Sequence, residues 1–394
     1  MAASFINKRC DNRIKSARRL ASKLIKRSKL GGPIFSGSRK QPRVGNKKTS
    51  PRKLIRVVCP AMLSLHSPAL HTKTVKFISE FEKAVRAAQF GSATVHVCFR
   101  DTKKIFASGG IYLLARCEVI VNRYRNVKYR VSVPPSLPEP GHIGPQPIAH
   151  SVLCQIGFYK LLGIKQPRGA QLPSVDCWYV SSSEKADGEF IGNAIEKLGK
   201  TGAEARDLYR SSIEAISNAS EHAYSTAIQT DKVFTIKKWW LFSAVLDNEA
   251  FFYICDLGHG IPKTLEYTQS PTLLEHIKSL LTKTMSPEQR RGFVEDVHKI
   301  KMSTMVKETR TELSYRGKGG GDLKSYISKH SGSVLRIYSN KGAYTFKNKK
   351  LPVRSNSLVN ELEQTNNKKY ETGYNNKHSI EGTVIGWSMP LIVS

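Results

Sequence analysis

Three short segments hold residue types that could do chemistry together. EAISNASEHAY (214–224) places Glu214 and Asn218 four residues apart, which puts them on one face of a helix. CDLGHGIP (255–262) sets Asp256 at the end of an apolar run, Phe251 to Cys255, with Gly258 and Gly260 directly after it. That run reads as a buried strand. SYRGKGGGDLKSYISKHSG (314–332) sets Gly317, Gly319, Gly320 and Gly321 ahead of a helical pattern. A carboxylate, an amide able to ligate a metal and two glycine-rich turns, in that order, suit a nucleotide held with Mg2+. Mg2+ takes oxygen ligands and keeps several waters, so one amide can serve it when phosphates complete the shell.

The order and spacing of these segments resemble the GHKL superfamily of gyrase-type ATPases, Hsp90, MutL, histidine kinases and anti-sigma-factor serine kinases. Glu214-x-x-x-Asn218, with Glu221, His222 and Ala223, is similar to that family's N box, and its ending Glu-His-Ala-Tyr is closest to the anti-sigma kinases. Asp256-x-Gly258-x-Gly260-Ile261-Pro262 matches the G1 box. Arg316-Gly317-Lys318-Gly319, followed by Leu323 and by His330-Ser331-Gly332, resembles the G2 box and the strand beyond it. Gly320 and Asp322 depart from the apolar residues usual there. Gly382-Thr383 is similar to the family's closing Gly-Thr element.

The resemblance covers roughly residues 185–390 and implies an ATP and Mg2+ site. Asn218 would ligate Mg2+, and Glu214 would orient or deprotonate a water or an acceptor hydroxyl. Asp256 would accept a hydrogen bond from the adenine amino group, which selects against guanine. Gly258 and Gly260 would let the backbone pass close to base and sugar. Gly317 to Gly321 would offer amides to the phosphates, with Lys318 and Arg316 as mobile cations. Residues 263–315 would form a lid. The N terminal half shows no dimerisation helix with a phosphoacceptor histidine, and no long transducer follows. The expectation is therefore a regulatory ATPase or a serine/threonine-kinase-like switch. The alternative is a nucleic-acid-binding or protein-interaction module built on an inactive GHKL fold.

Charge is the second strong signal. The 394 residues carry a formal net charge of +32. Residues 1–56 hold 18 Lys or Arg against one acid, Asp11, a net of +17. Within them, RIKSARRLASKLIKRSKL (13–30) lines Ile14, Ala17, Leu24 and Ile25 along one helical stripe, with cations on the other face. Such an arm fits nucleic-acid phosphates, an anionic membrane surface, a transit peptide or a solvated tail that meets a regulatory protein partner. The seven cysteines are scattered without a CxxC pair, which argues against zinc and suits a reducing, cytoplasmic setting. No apolar run is long enough to span a bilayer. A dimer is left open.

The elements that must position the site fall into two folded units after an arm and linker at 1–53. The overall class expected is α/β and α+β multidomain. A small α/β domain at 54–170 precedes a GHKL α/β sandwich at 171–394, with helices packed on a mixed sheet. In the first, strands at 54–59, 93–99 and 129–133 alternate with helical patterns at 72–89, 109–124 and 149–162, which implies a largely parallel sheet. Ala107-Ser108-Gly109-Gly110 at a strand-to-helix junction is similar to STAS domains, where this helix opens on a phosphorylatable residue. Ala107 takes that position in such an alignment, and Ser108 reads as an N-cap. Polar residues 348–381 read as a loop inserted between two strands.

Overall fold

The computed structural model describes residues 53–90, 93–133, 148–166, 179–246, 249–283, 295–306, 319–350 and 367–390. The basic segment 1–52 lies outside them, as does the expected domain boundary near residue 170.

Strands β1 (Leu54–Val58), β3 (Thr94–Cys98) and β5 (Lys128–Ser132) form a parallel sheet in that spatial order, as the alternation of strands and helices predicts. A two-residue parallel pair, β2 (Met62–Leu63) and β4 (Lys104–Ile105), sits beside it. The connections run through α1 (Pro68–Ala88) and α2 (Ala107–Arg123). Two right-handed crossovers that step the same way put both helices on one face of the sheet. Helix α1 begins where the Ser67 hydroxyl accepts from the Leu70 amide, with Pro68 in the first turn. Its stripe of Phe77, Ile78, Phe81 and Val85 is buried with Val57, Val95 and Val97 of the sheet.

Two local expectations are corrected here. Ser108 is not an N-cap: α2 starts one residue earlier, at Ala107, with Phe106 before it. The Ser108 hydroxyl is fully buried and instead accepts from the Leu65 amide at 3.2 Å, tying the helix to the neighbouring loop. The helix expected over 149–162 is two, α3 (Ile148–Gln155) and α4 (Phe158–Leu161). Gly157, at φ 74°, breaks it.

The second sheet has seven strands in the order β11 (Asn367–Asn375), β10 (Gly342–Lys350), β9 (Val334–Ser339), β12 (Thr383–Pro390), β8 (Glu249–Asp256), β7 (Trp239–Leu246) and β6 (Tyr179–Ser183). Every pairing is antiparallel, where a mixed sheet was expected. The expected loop at 348–381 is also corrected. Asn367–Asn375 pairs with β10 along nine residues as an edge strand.

Both faces of this sheet are covered. One packs Trp239, Leu241, Phe252, Ile254, Ile337 and Trp387 against α5 (Gly188–Lys197), α6 (Gly202–Glu221) and α10 (Gly319–Lys329). The other packs Trp240, Phe242, Tyr253, Cys255 and Val384 into the core that α1 and α2 share with the parallel sheet. Burial on both sides explains why β7, WWLFSAVL, is almost continuously apolar. Helices α7 (Ile261–Thr268), α8 (Pro271–Thr282) and α9 (Asp296–Met305) occupy the expected lid region around a small core of Leu265, Ile277, Leu281, Met302 and Val306. Among the described residues no helix is long and apolar enough to cross a membrane.

Because α2 serves both sheets, the two should unfold together. Leu113→Ala removes a fully buried side chain of α2 and is expected to cost about 2–5 kcal/mol. Tryptophan fluorescence, which reports on the antiparallel sheet, and far-ultraviolet circular dichroism should shift together in one transition. An unchanged tryptophan transition in that variant would show that the two units melt independently.

Candidate functional site

Alternation along β8 turns Ala250, Phe252, Ile254 and then Asp256 to the face that carries α5, α6 and α10. Register sets Thr383 of β12 directly opposite Asp256, and Ser339 of β9 directly opposite Thr383. A row of three polar side chains thus crosses three neighbouring strands at one end of an otherwise apolar face. All three are buried, at 7% exposure for Asp256, 3% for Thr383 and 0% for Ser339. The Ser339 and Thr383 hydroxyls lie 2.9 Å apart, and the Ser339 oxygen accepts from the Ile261 amide at 2.8 Å. Asp256 Oδ1 accepts from the Gly258 amide at 2.9 Å.

The turn after Asp256 is clamped to the end of α6. The His259 amide donates to the Ala223 carbonyl at 2.7 Å, and the His259 ring meets the Ser225 carbonyl at 2.9 Å. A Cβ on residue 258 would sit 2.1 Å from the Ala223 oxygen, so only glycine permits this approach. Gly382 is constrained in the same way, with the Asp256 carbonyl 2.3 Å from where its Cβ would be. Gly260 adopts φ 82°, and the Asn340 amide closes the turn by donating to the His259 carbonyl at 2.9 Å.

On the flank of α6, the Asn218 amide nitrogen donates to Glu214 Oε1 at 3.2 Å, so the spacing read from the sequence becomes a direct contact. That bond orients the amide and leaves its oxygen, the atom a Mg2+ ion would take, out of the pair. Glu221 and His222 close α6 at the surface, 3.9 Å apart and well exposed, outside the buried row. Gly319, Gly320 and Gly321 form the first turn of α10 rather than a turn before it. Helix α10 packs along α6, with Tyr326 donating to Glu204 at 2.8 Å and Lys329 to Asp207 at 2.7 Å. Arg316, Gly317 and Lys318 lie outside the described residues.

Lys232 and Ser339 belong to this arrangement and gave no signal in the sequence. The Lys232 ammonium donates to the carbonyls of Leu257, Gly258 and Glu381 at 2.9, 2.8 and 2.7 Å. Burial pushes this lysine down to about 8. Asp256 moves the other way: burial raises its carboxyl to about 6, against the Gly258 amide, the Lys232 cation and Thr383, which favour the ionised form.

The described residues contain no group of three or more His, Cys, Asp or Glu placed to hold a metal. A cleft of about 830 Å³ lies behind the turn, between α1, α2 and residues 231–236, and is lined by Tyr112, Arg116, Lys232, Phe234 and Glu381 but not by the polar row. No protein-family model matches the chain, and no curated protein matches it.

The buried carboxylate has a measurable signature. Folded Asp256 holds its proton up to about pH 6, whereas an unfolded aspartate releases it near about pH 4. The folded state therefore binds more protons between those values, and the wild type loses stability as pH rises through that window. Relative to wild type, Asp256→Asn is expected to gain roughly 3 kcal/mol of stability between about pH 4 and pH 7. Denaturant melts at both pH values check this, and a difference that does not change with pH would mean Asp256 titrates normally.

Proposed function

We propose that this chain is a Mg-ATP-binding regulatory protein of the GHKL type, acting as an ATPase or as a serine/threonine-kinase-like switch. The observation that carries the proposal is the row Asp256, Thr383 and Ser339, closed in by the glycine turn that clamps β8 to the end of α6. A carboxylate carried into an apolar face at the cost of a raised pKa has a use if it recognises a ligand.

The chemistry of these residues supports an adenine nucleotide held with Mg2+. Asp256 would accept from the exocyclic amino group of adenine, and the Gly258 amide and Thr383 hold the carboxylate in place for it. Guanine presents a carbonyl there and would set two acceptors face to face. The Asn218 oxygen would hold Mg2+, which when bound neutralises phosphate charge. Glu214, one helical turn away and bonded to the same amide, would take a proton from water or from a protein hydroxyl. Residues 1–56, at +17, extend the proposal to a nucleic-acid partner. The whole chain's +32 favours a second reading, a nucleic-acid-binding module whose nucleotide fold does not turn over.

Isothermal titration with ATP and GTP, with and without Mg2+, tests the first reading. Mg-ATP should bind and GTP should not, and Asp256→Asn should weaken ATP binding by roughly 1–3 kcal/mol. Equal affinity for the two nucleotides would sink the adenine assignment. Asn218→Ala should remove the Mg2+ dependence. Glu214→Ala should leave binding in place and slow turnover by about 10²–10⁴-fold; a variant that hydrolyses at the wild-type rate excludes Glu214 as the base, and failure of the wild type both to hydrolyse ATP and to phosphorylate a protein supports the second reading.

A further inference from the structure

Among the described residues, no helix covers one face of the parallel sheet. Both crossovers cover the side that carries Val57, Val95, Val97 and Val131, so the opposite side presents Arg56, His96 and Arg130. Register sets these three directly across from one another, Arg56 against His96 and His96 against Arg130. Lys128 lies one step back on β5, opposite Thr94, and Arg100 follows β3. Arg56, Arg100, Lys128 and Arg130 are all exposed.

These cations are not spent on the fold. Some arginine and lysine side chains of the chain are held by carboxylates, as Arg116 is by Glu82 and Glu381 and Lys238 by Glu118. Among the described residues none of Arg56, Arg100, Lys128 and Arg130 pairs with an acid; Arg56 contacts only the Cys98 sulfur, at 3.3 Å. His96 Nε2 meets the Ser132 hydroxyl at 2.7 Å, while Nδ1 is buried with no hydrogen-bond partner among the described residues. Burial, and then Arg130, Arg56 and Arg100, hold its pKa below the ordinary value, with no carboxylate among the charges that act on it. A row of like charges set side by side raises the energy of the free protein, and an anion laid across it relieves that repulsion.

We propose that this open face is a nucleic-acid-binding surface in which Arg56 and Arg130 neutralise separate phosphates of the backbone. Adjacent strands lie about 4.8 Å apart, so the two arginines are about 10 Å apart across the sheet, far enough to take different phosphates. Guanidinium forks match phosphate oxygens in pairs. Alternation turns Tyr129, the one tyrosine of these strands, toward the core, so the contact should run through phosphates more than through stacked bases and depend little on sequence. The assignment rests neither on the nucleotide site nor on residues 1–52.

The test is a salt titration of binding to a fluorescein-labelled random-sequence DNA duplex by the full chain. Each phosphate contact contributes about −0.9 to the slope of log K against log[salt]. Arg56→Gln with Arg130→Gln should make the slope shallower by about 1.8. Arg56→Lys with Arg130→Lys, which keeps the charge, should preserve it. Neither variant should lower the melting temperature or the Mg-ATP affinity, so the outcome on DNA stands whatever the nucleotide site does. A wild-type slope in the glutamine variant would overturn the proposal and leave DNA binding to the N-terminal arm. An equal loss in the lysine variant would overturn it as well, since charge would then not be the cause. So would a loss confined to vesicles containing phosphatidylserine, which would make the face a membrane contact.

Discussion

The geometry of the candidate site depends on one close approach, that of Gly258 to the last turn of α6. The Ala223 carbonyl accepts from the His259 amide at 2.7 Å and sits where a Cβ on residue 258 would be. Helix α6 carries Glu214 and Asn218 on its flank, and β8 ends in Asp256. This contact sets the distance between the proposed metal-binding amide and the proposed base-reading carboxylate. Any side chain at 258 would have to push the helix off the sheet, and helix and strand would no longer address the same ligand. Gly382 repeats the logic one strand over, bringing β12 against β8 so that Thr383 falls opposite Asp256.

The same turn is fastened from behind. Lys232 gathers three carbonyls, two from the turn and one from Glu381. The Glu381 side chain meets Arg116 of α2 at 2.9 Å, and Arg116 in turn meets Glu82 of α1 at 3.1 Å. The chain of contacts runs from the buried carboxylate through the turn, Lys232, Glu381 and Arg116 to Glu82, and so to the helices of the parallel sheet. A buried cation stripped of its partners costs several kcal/mol, so these links favour one arrangement of the turn.

Much of this was legible in the sequence, and the exceptions have reasons. The Phe251–Cys255 run, the alternating helices and strands of 54–133 and the Gly382-Thr383 strand opening were readable because their burial is periodic or complete. The Glu214–Asn218 pair was readable because helical spacing converts directly into contact. Strand β11, NKKYETGYN, was not, because an edge strand pairs on one side only and can remain polar. The antiparallel character of the large sheet depends on pairing across long separations, which local pattern does not encode. Lys232 was invisible in a polar stretch, since its partners are backbone carbonyls, and carbonyls leave no trace in residue types. Ser108 read as a cap because serine prefers that position locally; its tertiary contact with Leu65 took precedence.

In the proposed function, an adenine nucleotide sits over Asp256, Thr383 and Ser339 beside α6. Amide hydrogen exchange of the full chain with and without Mg-ATP addresses it position by position. Protection should appear at Asp256 to Ile261, at the start of α10 and at the opening of β12, with strands β1, β3 and β5 unchanged. Protection confined to the cleft around Tyr112 and Phe234, or no protection at all, would contradict the claim.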